Sequence, residues 1–256
     1  MKNKSAWIIT LGADEQPARA IASQLTPYGL HPKGQRWSVE DKAWIGSAQE
    51  AAKANAAVII LTGEVDTLAN PVIRRQLALF RLALQTLRQS VVNGFIFGAA
   101  PSSDNEATSV LGDWLAITDT QWPAKIVARA YAPIAPAWPV RLGLHAHERL
   151  GIWLETHPAP GQTVSGAMLG VSGNNAVPDF HAVGSAGALP EKSVNEFELK
   201  GLKFQVREHS FDAWALQNTL APDQSYYVRL EGEPDVLAIG ALPNGNVSDV
   251  NLIHLG

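Results

Sequence analysis

Three carboxylates, Asp14, Glu15 and Glu64, follow the two most apolar runs of the first half of this 256-residue chain. Carboxylates grouped at strand ends can raise one another's pKa and divide the roles of acid and base between them. His145-Ala146-His147 is the one metal-like spacing. On a strand, residues two apart face the same side, so both imidazoles could ligate an ion, with Glu148, His157 or His181 as further ligands. Its place beside a proline-rich connector favours a surface turn instead. The chain has no cysteine, which removes disulfides, thiolate nucleophiles and Cys-ligated metals. Gly170-Val171-Ser172-Gly173-Asn174-Asn175 and Gly184-Ser185-Ala186-Gly187 lack the GxSxG spacing of a nucleophile elbow and read as tight turns.

The basic residues are as informative as the acids. Thr67 to Ser103 holds no Asp or Glu, yet it carries Arg74, Arg75, Arg81 and Arg88. Arg74, Arg81 and Arg88 are seven apart, hence on one side of a helix, with Arg75 and Gln85 beside them. No acid at i±3 or i±4 pairs with them. They read either as a solvated edge opposite Ile73, Leu77, Phe80 and Leu84, or as a face for an acidic protein partner, where the planar guanidinium is favoured. Contact with nucleic-acid phosphates is a weaker third reading, because the chain is acidic overall at −4.

The elements that would position these residues alternate between strand and helix. Ala6–Leu11 is a short apolar strand closed by Gly12, and Asp14 can cap the helix that follows, with Pro17 in its first turn. A weak strand over residues 30–37 and a capping-box variant at Ser38–Asp41 lead to a helix with Trp44, Ile45, Ala48, Ala51 and Ala52 on one face. Residues 57–62 form the strongest strand. Asn70-Pro71 opens a long helix to about Ser90, and residues 93–98 form a fourth strand. Residues 108–117 read as a short helix and residues 125–131 as a fifth strand. Five strands with interleaved helices predict a parallel sheet covered on both faces, in flavodoxin-like order. Its ligands would bind beyond Thr10-Leu11-Gly12, Thr62-Gly63-Glu64 and Gly98-Ala99-Ala100. None of these is a phosphate loop, and an acidic crevice disfavours phosphate. A receiver-type phosphorylation site is also unsupported, since residues 57–62 end in Thr62-Gly63 where an aspartate is needed, and Lys125 opens rather than closes the fifth strand.

Several pieces of this half resemble a Toll/interleukin-receptor (TIR) domain or a flavodoxin-like relative. They are the Trp7–Leu11 strand with acids after it, Gln24-Leu25…Tyr28-Gly29-Leu30, Trp44-Ile45, the 57–62 strand and Asn70–Leu77. Together they cover about a third of the chain. Enzymatic members of that family cleave NAD with a glutamate in the helix after the third strand. That position falls near Gln76, beside Arg74 and Arg75, and glutamine can neither act as a base nor stabilise a cationic centre by charge. Members without the glutamate act by self-association and recruitment, which is what the resemblance implies here. The rival readings are a nucleotide or NAD hydrolase using Asp14, Glu15 or Glu64, and a metal hydrolase built on His145 and His147.

Residues 132–139, Ala-Pro-Ile-Ala-Pro-Ala-Trp-Pro, form a semi-rigid connector between an α/β domain at 1–131 and a second domain at 140–256. Beyond it the periodicity becomes two. Strands are expected over residues 151–156, 163–171, 225–230, 236–242 and 249–255, with a hairpin around Lys200-Gly201 and a helical turn or two over 211–218. The second domain therefore reads as a β-rich barrel or sandwich of seven or eight strands, its Trp153, Trp214, Tyr226 and Tyr227 filling a core or lining a groove. Residues 1–138 carry 13 Lys/Arg against 11 Asp/Glu, a net of +2; residues 139–256 carry 7 against 13, a net of −6. Apolar residues at 46% are ample for two cores. With no membrane-length apolar run and no cleavage-site pattern at the start, the expectation is a cytoplasmic, non-catalytic two-domain scaffold or adaptor. It would need no cofactor, and its partner would be a protein or a second copy.

Overall fold

The computed structural model describes residues 4–98, 108–138, 140–147, 149–242 and 250–256, with Val65 as backbone only. Ala99, Ala100, Pro139 and Glu148, which carried expectations above, lie outside these residues. Two compact units emerge. One comprises the described parts of 1–105, 110–137 and 256, the other those of 106–109 and 138–255.

In the first unit, β1 (Ser5–Leu11), β2 (His31–Arg36), β3 (Ala56–Gly63) and β4 (Asn93–Phe97) alternate with α1 (Gln16–Leu25), α2 (Ala43–Lys53) and α3 (Pro71–Arg88). After the two-residue β5 (Thr108–Ser109), which belongs to the other unit, come β6 (Leu115–Ile117) and α4 (Trp122–Tyr131). The sheet is all parallel, in the order β2-β1-β3-β4-β6. β1 and β3 are buried almost end to end, as strands covered on both faces must be. On one face Ile8, Val58, Ile60 and Phe95 meet Ile21 and Leu25 of α1 and Trp122 and Ile126 of α4. Asn70 caps α3 as its sequence promised, accepting the Val72 N–H at 2.9 Å.

Two assignments differ from expectation. Residues 125–131 form the body of α4 rather than a strand. Trp122, Ile126 and Ala130 are buried at helical spacing, and Pro123 sits in the first turn. The expected helix over 108–117 is instead β5, a turn and β6, so the fifth strand of the parallel sheet is Leu115–Ile117.

The second unit is an eight-stranded mixed sheet. Its strands are β5, β7 (Arg141–His147), β8 (Gly151–His157), β9 (Val164–Ser185), β10 (Leu199–Val206), β11 (His209–Leu220), β12 (Gln224–Gly240) and β13 (Asn251–His254). β9 and β12 pair along nearly their whole length with irregularities at three places. β12 therefore covers the expected strand 225–230 and most of 236–242, ending at Gly240, and β9 runs through Gly170–Asn175, where turns were expected. Residues 211–218 lie in β11, not in a helix. Phe211, Ala213 and Ala215 are buried while Asp212 and Trp214 are half-buried, a period of two. The hairpin turn falls at Arg207-Glu208. Lys200-Gly201 instead marks a bulge within β10, where Gly201 adopts φ +67°. No helix among the described residues is long and apolar enough to cross a membrane.

Candidate functional site

α3 is not an amphipathic surface helix. Ile73 and every residue from Arg75 to Leu84 are buried, so the arginine stripe runs into the interior. Arg81 has no exposed surface. Its Nε donates to Val92 O at 3.2 Å and its Nη1 to Val110 O at 2.6 Å. Nη1 and Nη2 grip the Asp113 carboxylate as a fork, with Nη2–Oδ2 at 2.9 Å. The expectation of unpaired arginines is thus corrected at its centre, because the acid arrives from 32 residues away. Arg75 is buried too, Arg74 is half-buried, and half-buried Arg88 donates to Asn55 Oδ1 at 3.0 Å. Gln76 is also buried, its Nε2 donating to Val39 O at 3.4 Å.

The strand-end carboxylates hold three separate posts. Asp14 Oδ1 accepts the Gln16 N–H at 2.9 Å, just ahead of α1. Glu64 lays its side chain across Gly12, so close that a Cβ there would come within 2.6 Å of its Cδ. Glu15 turns the other way, with Oε2 3.2 Å from Arg19 Nη2 and Oε1 3.5 Å from Arg36 Nη2. These two arginines stand at a cleft of about 250 Å³ between α1 and β2. Ile8, Ala18, Ala22, Pro32 and Gly34 give that cleft an apolar interior.

In the second unit, neighbouring tyrosines of β12 point to opposite faces of the sheet and organise two polar networks. On one face Glu155 is almost fully buried. Its Oε1 accepts from the Gly187 N–H at 2.7 Å, Ser225 Oγ at 2.7 Å and Tyr227 OH at 2.9 Å, while His145 Nε2 lies 2.7 Å from Oε2. Burial alone would raise the Glu155 pKa; the bonds from His145, Gly187 and Ser225 outweigh it and hold the carboxyl at about 2. Gly184–Gly187 thus ends β9 and supplies a donor. His145 and His147 lie on β7 rather than in a turn. His145 is committed to Glu155, and exposed His147 accepts the Arg149 N–H at 3.1 Å. Among the described residues no group of three or more His, Asp or Glu could hold a metal.

On the other face, buried His181 connects Tyr226 OH at Nδ1 to Glu198 Oε1 at Nε2, each at 3.0 Å. A carboxylate only accepts, so Nε2 carries the proton; the Tyr226 hydroxyl, which faces Nδ1, also lies 3.2 Å from Trp214 O. Burial lowers the His181 pKa despite Glu198. Asn195 and Lys200 hold Glu198 at about 2. Trp214 packs edge-on against His181, with centroids 4.9 Å apart, and Lys200 lies 5.1 Å above its ring. Tyr226 and Tyr227 are therefore core residues. Half-buried Trp153 instead stacks near the Arg229 guanidinium, 5.7 Å from its ring.

This second network anchors a segment that the sequence reading passed over. Residues 193–198 are irregular, leading into edge strand β10. Ser193 Oγ accepts the Val183 N–H at 2.8 Å, and Asn195 Nδ2 donates to His181 O at 3.2 Å. Buried Asn218 accepts the Glu196 N–H and donates to Val194 O, both at 2.8 Å, and the Gln217 N–H reaches Glu196 O at 2.9 Å. On this fixed backbone Val194 is 77% exposed, Phe197 76% and Leu199 43%. Phe197 adopts φ +47°, a left-handed conformation that costs a bulky residue about 1–2 kcal/mol. The signal in the sequence was Phe197-Glu198-Leu199, two apolar residues on either side of an acid, which also describes an ordinary strand. The chain matches no protein-family model, no curated protein and no solved structure.

Proposed function

We propose that the chain is a non-catalytic assembly protein that associates with copies of itself, and that the 193–199 segment of the β-rich unit is its docking element. The single observation that carries this reading is the anchored display of Val194, Phe197 and Leu199. Three neighbouring apolar side chains held out by a hydrogen-bonded, locally strained backbone form the kind of surface that is normally covered by a partner. Aromatic anchors of this type dominate the energetics of interfaces. The resemblance of residues in the first half to TIR domains without the glutamate supports the same reading, since those family members act by self-association and recruitment. The arginine face takes a smaller part than its sequence suggested, because Arg75 and Arg81 lie inside. The unequal charges of the two halves, +2 and −6, would favour association between unlike surfaces.

Sedimentation velocity on the untagged chain tests the reading. The wild type is expected to show a sedimentation coefficient that rises with concentration, and Phe197→Ser a constant one. A wild type that stays monomeric at every concentration would remove the proposal, as would a Phe197→Ser variant that associates equally well.

A further inference from the structure

Resting on this assembly reading, we infer that the site receiving Phe197 is the α1–β2 cleft of a second copy of the chain. The cleft has the volume, the lining and the charge for that occupant. An apolar cavity of about 150 Å³ accommodates a benzene ring, and this cleft offers about 250 Å³ walled by Ile8, Ala18, Ala22 and Pro32. Its charged edge is equally specific. Phe197 follows exposed Glu196 and precedes Glu198, which Lys200 and His181 already engage, and the cleft is flanked by exposed Arg19, Lys33 and Arg36. An aromatic beside an exposed acid thus meets a cleft with an apolar floor and basic edges. Glu15 already lies beside both guanidiniums, as exposed ion pairs. Each guanidinium has five N–H donors, so it can take a second acid.

The interface is heterologous, since donor and acceptor are different surfaces on different units of the chain. Made reciprocally between two copies such a contact closes a dimer; made from copy to copy it propagates into rings or open chains. This separates the inference from a pairing of β10 edges between two copies, which would set Lys200 and Lys203 against their own counterparts.

A complementation experiment decides it. Phe197→Ser removes the donor and Ala18→Trp fills the acceptor at a half-buried helix position; circular dichroism and the thermal midpoint confirm that both fold. Each variant alone is expected to remain monomeric. An equimolar mixture is expected to form dimers and nothing larger, because only the Phe197 of the filled-cleft copy and the open cleft of the Phe197→Ser copy can meet. Arg36→Glu, at an exposed position that leaves the core untouched, serves as a second acceptor variant. It is expected to weaken association roughly tenfold or more, with recovery when combined with Glu196→Arg. If Ala18→Trp and Arg36→Glu both associate like the wild type while Phe197→Ser does not, the acceptor assignment falls and the assembly reading stands. If Phe197→Ser alone still associates, both fall. A mixture that stays monomeric overturns the heterologous geometry.

Discussion

Arg81 in the α/β unit and Phe197 in the β-rich unit each lie on the unexpected side of the water boundary, but their surroundings differ. The arginine is fully buried, and two carbonyls and the Asp113 carboxylate surround its guanidinium. A charge compensated in this way is part of the core, whatever its sequence neighbourhood suggests. The phenylalanine is 76% exposed, on a backbone fixed by Asn218 and Asn195 in a conformation that phenylalanine avoids. Nothing in its own unit's hydrogen bonding requires a ring there. Misplaced polarity that is fully satisfied therefore reports on stability. Misplaced apolarity that is rigidly presented is the feature from which a partner is proposed.

The comparison breaks first if Arg81 proves dispensable. Arg81→Ala leaves Asp113 and two carbonyls without their donor and is expected to cost about 3 kcal/mol or more in chemical denaturation. Asp113, partly exposed, recovers some hydration, which sets the expectation at the lower end of the range for buried pairs. A loss below about 1 kcal/mol would mean that the guanidinium is not the keystone described here.

Glu155 is the equivalent test in the other unit. Glu155→Gln places an amide where one oxygen accepts three donors and is expected to cost roughly 2 kcal/mol. The sign of the pH dependence follows from its depressed pKa. The stabilisation is complete above the unfolded value near 4.5 and is lost as the pH falls towards about 2. The variant should therefore show a shallower decline of stability with acid across that window. Identical slopes would place the acid sensitivity in other carboxylates.

His181 sharpens the comparison on the opposite sheet face. Because burial lowers its pKa, the neutral ring is the folded form, and stability is present above the ordinary value of 6.5 and lost as pH falls through the folded value. Nitrogen NMR should find the Nε2–H tautomer at neutral pH and a midpoint below 6.5. A midpoint above 6.5 would mean that Glu198 outweighs burial. The smallest expected stability effect is that of Phe197→Ser, within about 0.5 kcal/mol of the wild type, since the ring packs on so little. A larger loss would make Phe197 a structural residue and remove its claim to a partner.

Much of the first unit was legible in the sequence. β1 and β3 are apolar runs without alternation, as strands buried on both faces must be, and Asn70-Pro71 marked the start of α3 by cap chemistry alone. Residues 125–131 misled because Ile126 and Val127 favour strands, while the helical spacing of Trp122, Ile126 and Ala130 emerged only against the sheet. Arg81 misled for a different reason. A search for acids within one helical turn cannot find Asp113, which the β4–α4 connection brings back from a distance of 32 residues. In the second unit, period-two alternation located most strands but not the turns, so the bulge at Gly201 looked like a hairpin. Phe197 carried no expectation of a partner, because it lies just ahead of the expected hairpin at Lys200-Gly201. Its exposure depends on Asn218 pinning Glu196, a contact across 22 residues that no local pattern encodes.

The most direct test of the central claim replaces Phe197 with photoreactive p-benzoylphenylalanine and irradiates a mixture of isotopically light and heavy chains. The account predicts mixed light–heavy crosslinks from position 197 to residues of α1 or β2. Crosslinks confined to single chains, or none above background at concentrations where the chain associates, would contradict it.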